Sequence, residues 1–338
     1  MADALRAVDD PRWPALVPDG GDGGTIMLGH RPFRSVRSVL WDVDLRLAEL
    51  DAAGIGYQLI SPVPVMLAYW ANERTGAVCA RATNNSIAAA VARSHGRLAG
   101  LGTVPLPHID LAIEELHRAV EDLGLAGVEI GARIAGEDLD SPRLRPFFEA
   151  AEAVGAALFV HPTDGGGGVI RREGQPYDFG LGMTTDTAVA ATALVFGGVL
   201  ERFPLLRVAL AHGCGSFPWA YPRLSLGSSI WHGTDPARLD ELVQSLWVDS
   251  LVFDPEHLRL LVRRFGADHV MLGTDYPFVA GQLEGAWDFL ASAQSLGALD
   301  ADEAWRIYAA NGLAFAGGTS SAAGAARVPS GLFDQGGG

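Results

Sequence analysis

The sequence predicts an α/β protein built as a (β/α)₈ barrel of the TIM type, and two observations carry that expectation. Short runs of aliphatic and β-branched residues alternate along the chain with segments of helical period, as in βα units whose parallel strands are buried on both faces. Three of these runs, Ala157 to Val160, Val208 to Ala211 and Val270 to Leu272, lead into His161, His212 and, after Gly273-Thr274, Asp275. Such groups bind metals or move protons. Chemical groups at the C-terminal ends of parallel strands form the active site of that barrel, so one mouth is expected to collect all three.

Taken in order, Met1 to Arg37 is rich in Gly, Asp and Pro without a strong apolar run, and reads as a loop or small inserted lobe over about 8–37. Strands are expected at Gly56 to Ser61, Leu98 to Val104, Gly127 to Gly131, Ala157 to His161, Arg207 to His212, Leu246 to Ser250 and Val270 to Asp275. That set is one strand short of a closed barrel. Helical periodicity covers Asp44 to Ala52, Asn84 to Ser94, Leu111 to Leu123, Arg143 to Val154, Thr185 to Phe203, Pro255 to Phe265 and Asp302 to Ala310. Gly96, Gly124, Gly155 and Gly266 stand just past helix ends, where a left-handed cap suits glycine. The barrel domain is expected over 1–316. The Ala/Gly/Ser-rich stretch 317–338 has too little apolar surface to offset its ordering entropy and is expected to be disordered.

Composition narrows the function. A formal net charge of −15 without any basic run argues against nucleic acid and against an anionic membrane surface as partners. All 25 basic residues are arginine, so Schiff-base chemistry on lysine is excluded. Cys79 and Cys214 give neither a disulfide framework nor a zinc spacing, and Cys214 reads as a small turn residue rather than a reactive thiol. No charged-then-apolar leader and no uninterrupted apolar stretch of about 18 residues is visible. The expectation is a cytoplasmic enzyme acting on a small molecule.

Local motifs then point to a family. Phe33-Arg34-Ser35-Val36-Arg37 to Trp41-Asp42, Pro62 to Met66 with Tyr69-Trp70-Ala71, and Gly100 to Pro105 come first. His161-Pro162, Ala211-His212-Gly213, Ser216-Phe217-Pro218, Leu272 to Phe278 and Asn311 to Phe315 follow in order. Together they resemble the aminocarboxymuconate-semialdehyde decarboxylases of the amidohydrolase superfamily over nearly the whole chain. The resemblance implies a non-oxidative decarboxylase that is a homodimer and uses one divalent metal, most often zinc, with no organic cofactor. It implies His161 and Asp275 as metal ligands and His212 as the acid/base residue. It further implies Arg34 on a substrate carboxylate, Phe179 over the substrate, and Trp70 and Met66 as pocket walls, although core packing explains these last three equally well.

The same resemblance implies a His-x-His ligand pair on the first strand, and this sequence contains none. Either translation begins upstream of Met1 or half of the metal site has been lost; the intact surrounding motifs and the cost of an open barrel favour the upstream start. A second carboxylate-binding arginine, implied a few residues beyond Arg223, is also lacking, since no arginine occurs between Arg223 and Arg238. The expected substrate is therefore an unsaturated or aromatic acid other than aminocarboxymuconate semialdehyde. Gly165 to Gly168 lacks the Lys-Ser/Thr ending of a phosphate loop and reads as a mobile active-site loop, with Asp164 beside it unassigned. Two further readings stand beside the decarboxylase: a metal-dependent hydrolase of the same superfamily, and a metal-free binding protein.

Overall fold

The computed structural model describes residues 2–172 and 174–318. The expected tail thus lies, from residue 319 onward, outside the described residues. The chain opens with three antiparallel strands, β1 (Pro14–Pro18), β2 (Gly23–Leu28) and β3 (Arg31–Arg37), in the order β1-β2-β3. The loop or lobe expected here is therefore a small sheet. Its strands escaped the apolar pattern because they bury little: Ile26 and Val36 pack with Val63, while most neighbouring side chains meet solvent.

The central sheet contains β4 (Gln58–Ile60), β5 (Leu98–Gly102) and β6 (Gly127–Gly131). A hairpin of two short strands, β7 (Arg133–Ile134) and β8 (Glu137–Asp138), then interrupts the series. It resumes with β9 (Ala157–His161), β10 (Arg207–Leu210), β11 (Trp247–Asp249) and β12 (Val270–Met271). All neighbours are parallel and the order is β12-β11-β10-β9-β6-β5-β4, so the seven expected strands lie side by side in chain order. Among the described residues β4 and β12 do not pair with each other, and the curled sheet is a barrel open along that line. Several strands end earlier than expected, and two of these shifts bear on the site. His212 begins a 3₁₀ turn, His212–Cys214, and Asp275 lies beyond β12 in a left-handed conformation.

Helices cover the outer face. Val43–Ala52, Ile109–His117, Arg145–Ala153 and Pro255–Phe265 fall where expected, whereas Glu73–Arg93 begins well before Asn84, its N-terminus capped by Asn72. The stretch expected as one helix from Thr185 to Phe203 is two, Met183–Phe196 and Val199–Arg202, broken where Gly198 takes φ 79°. Phe217–His232, Pro236–Gln244 and Ala286–Ser295 are helices that the apolar pattern did not reveal. By length and composition Asp178–Phe196 could cross a membrane. Its later half packs into the core, where Ala190, Ala191 and Leu194 are fully buried.

Alternation along the strands builds two layers. Val128, Ile130, Leu158, Val160, Val208 and Leu210 face outward and pack with Phe147, Phe148, Leu194 and Phe265. Leu101, Ala157, Ala209 and Met271 face inward and close on Phe315 from the helix Asn311–Phe315. This inner apolar plug gives the barrel a floor, above which the polar groups of the strand ends assemble.

Candidate active site

His161 is the last residue of β9 and shares its inward face with Ala157 and Phe159. Its Nδ1 lies 2.9 Å from the carbonyl oxygen of Pro162. A carbonyl only accepts, so Nδ1 carries the proton and Nε2 keeps its lone pair for the cavity. Burial, and then the neighbouring His212, lowers its pKa to about 3. The ring is therefore neutral, the form that binds a metal.

His212 follows β10 on a turn in which His212, Gly213 and Cys214 all have positive φ, at 57°, 59° and 65°. A Cβ at Gly213 would stand 2.3 Å from Val252 Cγ1, so this turn requires glycine there. The strained turn is fastened by Asp249 at the end of β11. Its carboxylate accepts from the backbone N–H groups of His212 at 2.8 Å, Gly213 at 2.9 Å and Leu251 at 3.0 Å. Burial raises the Asp249 pKa against the opposing effect of those three donors. The His212 imidazole, lowered to about 4 by burial, stands edge-on to His161 with ring centroids 5.2 Å apart. Cys214 is fully buried and its thiol pushed well up, in keeping with a turn residue.

Asp275 reaches the same point from the segment after β12, with φ 50°. Burial first, then the charge of Asp249, raises its carboxyl to about 7, opposed by Arg34. Next to it the Tyr276 hydroxyl donates to Glu49 Oε2 at 2.6 Å, tying this segment to the helix Val43–Ala52. The ligand atoms of His161, His212 and Asp275 all lie within 4.8 Å of one another. Two neutral imidazoles and a carboxylate with little compensating charge form a donor set suited to a divalent metal. Three strand-end residues separated by more than a hundred positions thus share one cavity of about 1220 Å³.

Arg34, from β3, lines that cavity with its guanidinium carbon 5.2 Å from the centre of the Phe278 ring. The other expected substrate contacts lie elsewhere. Met66 is buried with Ala4, Leu5 and Trp13 beneath the N-terminal lobe, and Trp70 packs on that cluster with Arg12 over its ring at 4.1 Å. Their aromatic and thioether surfaces pack within the lobe. Phe179 is partly exposed beside Phe253, at 5.9 Å between centroids, and does not line the cavity. Asp164 pairs with Arg133 at 2.7 Å. The buried carboxylate of Asp186 accepts from the N–H groups of Asp164 and Gly166, both at 2.7 Å, which fixes the start of the glycine-rich loop beside His161.

Asp186, Asp249 and Glu129 were not singled out in the sequence. The available signal was an acidic residue inside or just after an apolar run, as in Val128-Glu129-Ile130 and Val248-Asp249. Asp249→Ala is expected to lower turnover at least about tenfold and stability by about 2–4 kcal/mol, because three buried N–H groups lose a charged acceptor. Steady-state kinetics and urea unfolding measure both; an unchanged unfolding midpoint would refute the fastening role.

A sequence profile described as Amidohydrolase matches residues 17–315. Over 290 residues the chain is 37% identical to a 2-amino-3-carboxymuconate-6-semialdehyde decarboxylase of Dictyostelium discoideum, covering 80% of each. Identity to the decarboxylase of the same name in Caenorhabditis elegans is 31% over 78% of this chain and 79% of that protein. A gamma-resorcylate decarboxylase of Rhodococcus jostii is 29% identical over 70% and 77% respectively. Among solved structures, the apo IDCase of Metarhizium anisopliae superposes with a TM-score of 0.75 at 22% identity over 92% of both chains. A dihydroxybenzoic acid decarboxylase from Polaromonas, solved with manganese and 2-nitroresorcinol, superposes at 0.69 and 23% over 83% and 88%.

Proposed function

The chain belongs to the amidohydrolase family and is one of its metal-dependent decarboxylases, and from that membership we propose that it acts on an unsaturated or aromatic carboxylate held by Arg34. The observation that carries the reading is the convergence of His161, His212 and Asp275 within one cavity that Arg34 also lines.

Of the three donors within reach of one divalent metal, we assign its retention to His161 through Nε2 and to Asp275, with zinc as the ion, and keep His212 for proton transfer. When bound, such an ion supplies Lewis acidity and activated water near neutral pH. The remaining work falls to the chain itself. Arg34 presents a planar fork that can grip a carboxylate in bidentate fashion and so fix the orientation of the substrate. Phe159, Met271 and Leu272 give the cavity apolar walls for a flat carbon skeleton. Loss of carbon dioxide breaks a carbon–carbon bond and leaves its electron pair on carbon, which must take up a proton. His212, neutral and held by Asp249 at its backbone, is placed to move that proton.

The test is carbon dioxide release from a panel of aromatic and unsaturated acids, with zinc or manganese added and no oxidant. Release with matching loss of substrate absorbance is the expected result. Hydrolytic ring opening without carbon dioxide would favour the hydrolase reading, and failure to retain any metal would favour a binding protein.

A homodimer is part of the proposal, and the helix Phe217–His232 supports it. Trp219 and Trp231 are 84% and 78% exposed there, beside exposed Leu226 and Ile230. So much aromatic and aliphatic surface on one helix is characteristic of an interface. Sedimentation is expected to give a dimer, and the double substitution Trp219→Glu, Trp231→Glu a folded monomer; a monomeric parent protein would refute the assignment.

A further inference from the structure

Glu129 is the central residue of β6. Val128 and Ile130 on either side enter the outer core, so Glu129 faces the barrel interior together with Gly127 and Gly131. With glycine at both of those positions, Glu129 is the only side chain that this strand contributes to the cavity. It is 1% exposed, stands opposite Phe159 in the register with β9, and lies in a barrel whose inner floor is apolar. Among the described residues its Oε1 has no hydrogen-bond partner, and Ser61 is its one hydrogen-bonding neighbour.

The contrast with the other buried carboxylates defines the problem. Asp249 takes three backbone donors and Asp186 two, so each holds a turn together. Glu129 fastens no turn, and among the described residues it forms no ion pair. Buried polar groups are satisfied as a rule, and an acceptor left without a donor on a cavity wall is explained by a ligand that supplies one. Burial raises this carboxyl to about 8, with the charge of Asp275 adding to the effect. In either protonation state one oxygen remains an acceptor.

We propose that Glu129 is a substrate-binding residue whose free oxygen accepts a hydrogen bond from a hydroxyl or amino group on the carbon skeleton of the substrate. The enzyme then selects acids that carry such a donor over unsubstituted ones. The inference rests on the reading of this cavity as a carboxylate site, and deepens it. Arg34 recognises the acid, and Glu129 recognises a ring or chain substituent.

Titration calorimetry on the metal-supplemented protein, with benzoate, 2,6-dihydroxybenzoate and 2-aminobenzoate as probes, tests the proposal without relying on turnover. The donor-bearing acids are expected to bind at least about tenfold tighter than benzoate, the usual discrimination of a buried polar group left unpaired by the wrong ligand. Glu129→Met should bring the ratio to within about twofold. Its thermal midpoint should equal or exceed that of the parent, because an orphan carboxyl is replaced by an apolar chain of similar length. Should the methionine variant fail to fold, Glu129→Gln makes the same comparison, with the ratio expected to fall about threefold. Absence of any preference in the parent protein, or a preference that survives both substitutions, overturns the proposal. Carbon dioxide release from the same acids is measured separately, so failure of the decarboxylase reading and failure of the Glu129 assignment give different results.

Discussion

His161→Ala and Asp275→Asn are each expected to lower turnover by about a thousandfold or more and to remove most of the bound divalent metal. The two groups come from β9 and from the segment after β12, strands separated by β10 and β11 in the sheet, and their ligand atoms meet within 4.8 Å. His161 offers Nε2 because Nδ1 donates to Pro162, so alanine removes a preset donor rather than a flexible one. Asparagine at 275 keeps the shape but removes the negative charge that offsets a cation in a buried place. Metal content by plasma mass spectrometry, alongside kcat, checks both. A variant that retains full metal and full turnover would show that the residue is not a ligand. His212→Ala is the informative comparison, because a proton-moving residue should lower kcat with the metal retained.

Metal-stripped protein is expected to lose about 1–2 kcal/mol of stability as the pH rises from 6.5 to 8. Burial pushes the Asp275 carboxyl up to about 7 in the folded chain against 3.8 for the free side chain, and that of Glu129 up to about 8 against 4.5. Between each pair of values the folded state holds a proton that the unfolded chain has released. Folding is therefore favoured at the acid end, and the contribution is lost as pH rises through 7 and then 8. The two histidines act in the opposite sense. His161 near 3 and His212 near 4 stay neutral while unfolded imidazoles near 6.5 take up protons, so their contribution is present above 6.5 and lost on acidification. The opposing slopes meet between about pH 4 and 6.5, and above that range the acids dominate. Urea midpoints in the presence of a chelator measure the effect. Added metal should reverse the trend, because it binds the deprotonated ligands. A midpoint that stays level or rises from pH 6.5 to 8 without metal would contradict the burial of these two acids.

The three reactive groups were legible because each ends or follows an apolar run, and such a run has few alternatives to a buried parallel strand. The small β1–β3 sheet was not legible, since strands with only one or two buried side chains carry no strong period. The helix Phe217–His232 was hidden for a related reason. Its two tryptophans and two aliphatic residues face outward, so the apolar positions do not mark a single buried stripe. Met66 and Trp70 show the limit in the other direction, because an aromatic residue and a thioether fill a core as readily as they line a pocket, and sequence position cannot separate the two.

By itself, then, the sequence determined the order of the strands, the three strand-end groups His161, His212 and Asp275, the presence of Arg34 and the exclusion of lysine chemistry. Each of these depends on local pattern or composition. Only the tertiary structure decided which carboxylates serve the backbone and which do not. Asp186, Asp249 and Glu129 are alike as acidic residues, but their roles depend on the N–H groups brought to them from other parts of the chain. Hydrogen bonds between residues tens of positions apart exist only once the barrel has curled. A donor that fails to arrive, as at Glu129, leaves no trace in the sequence.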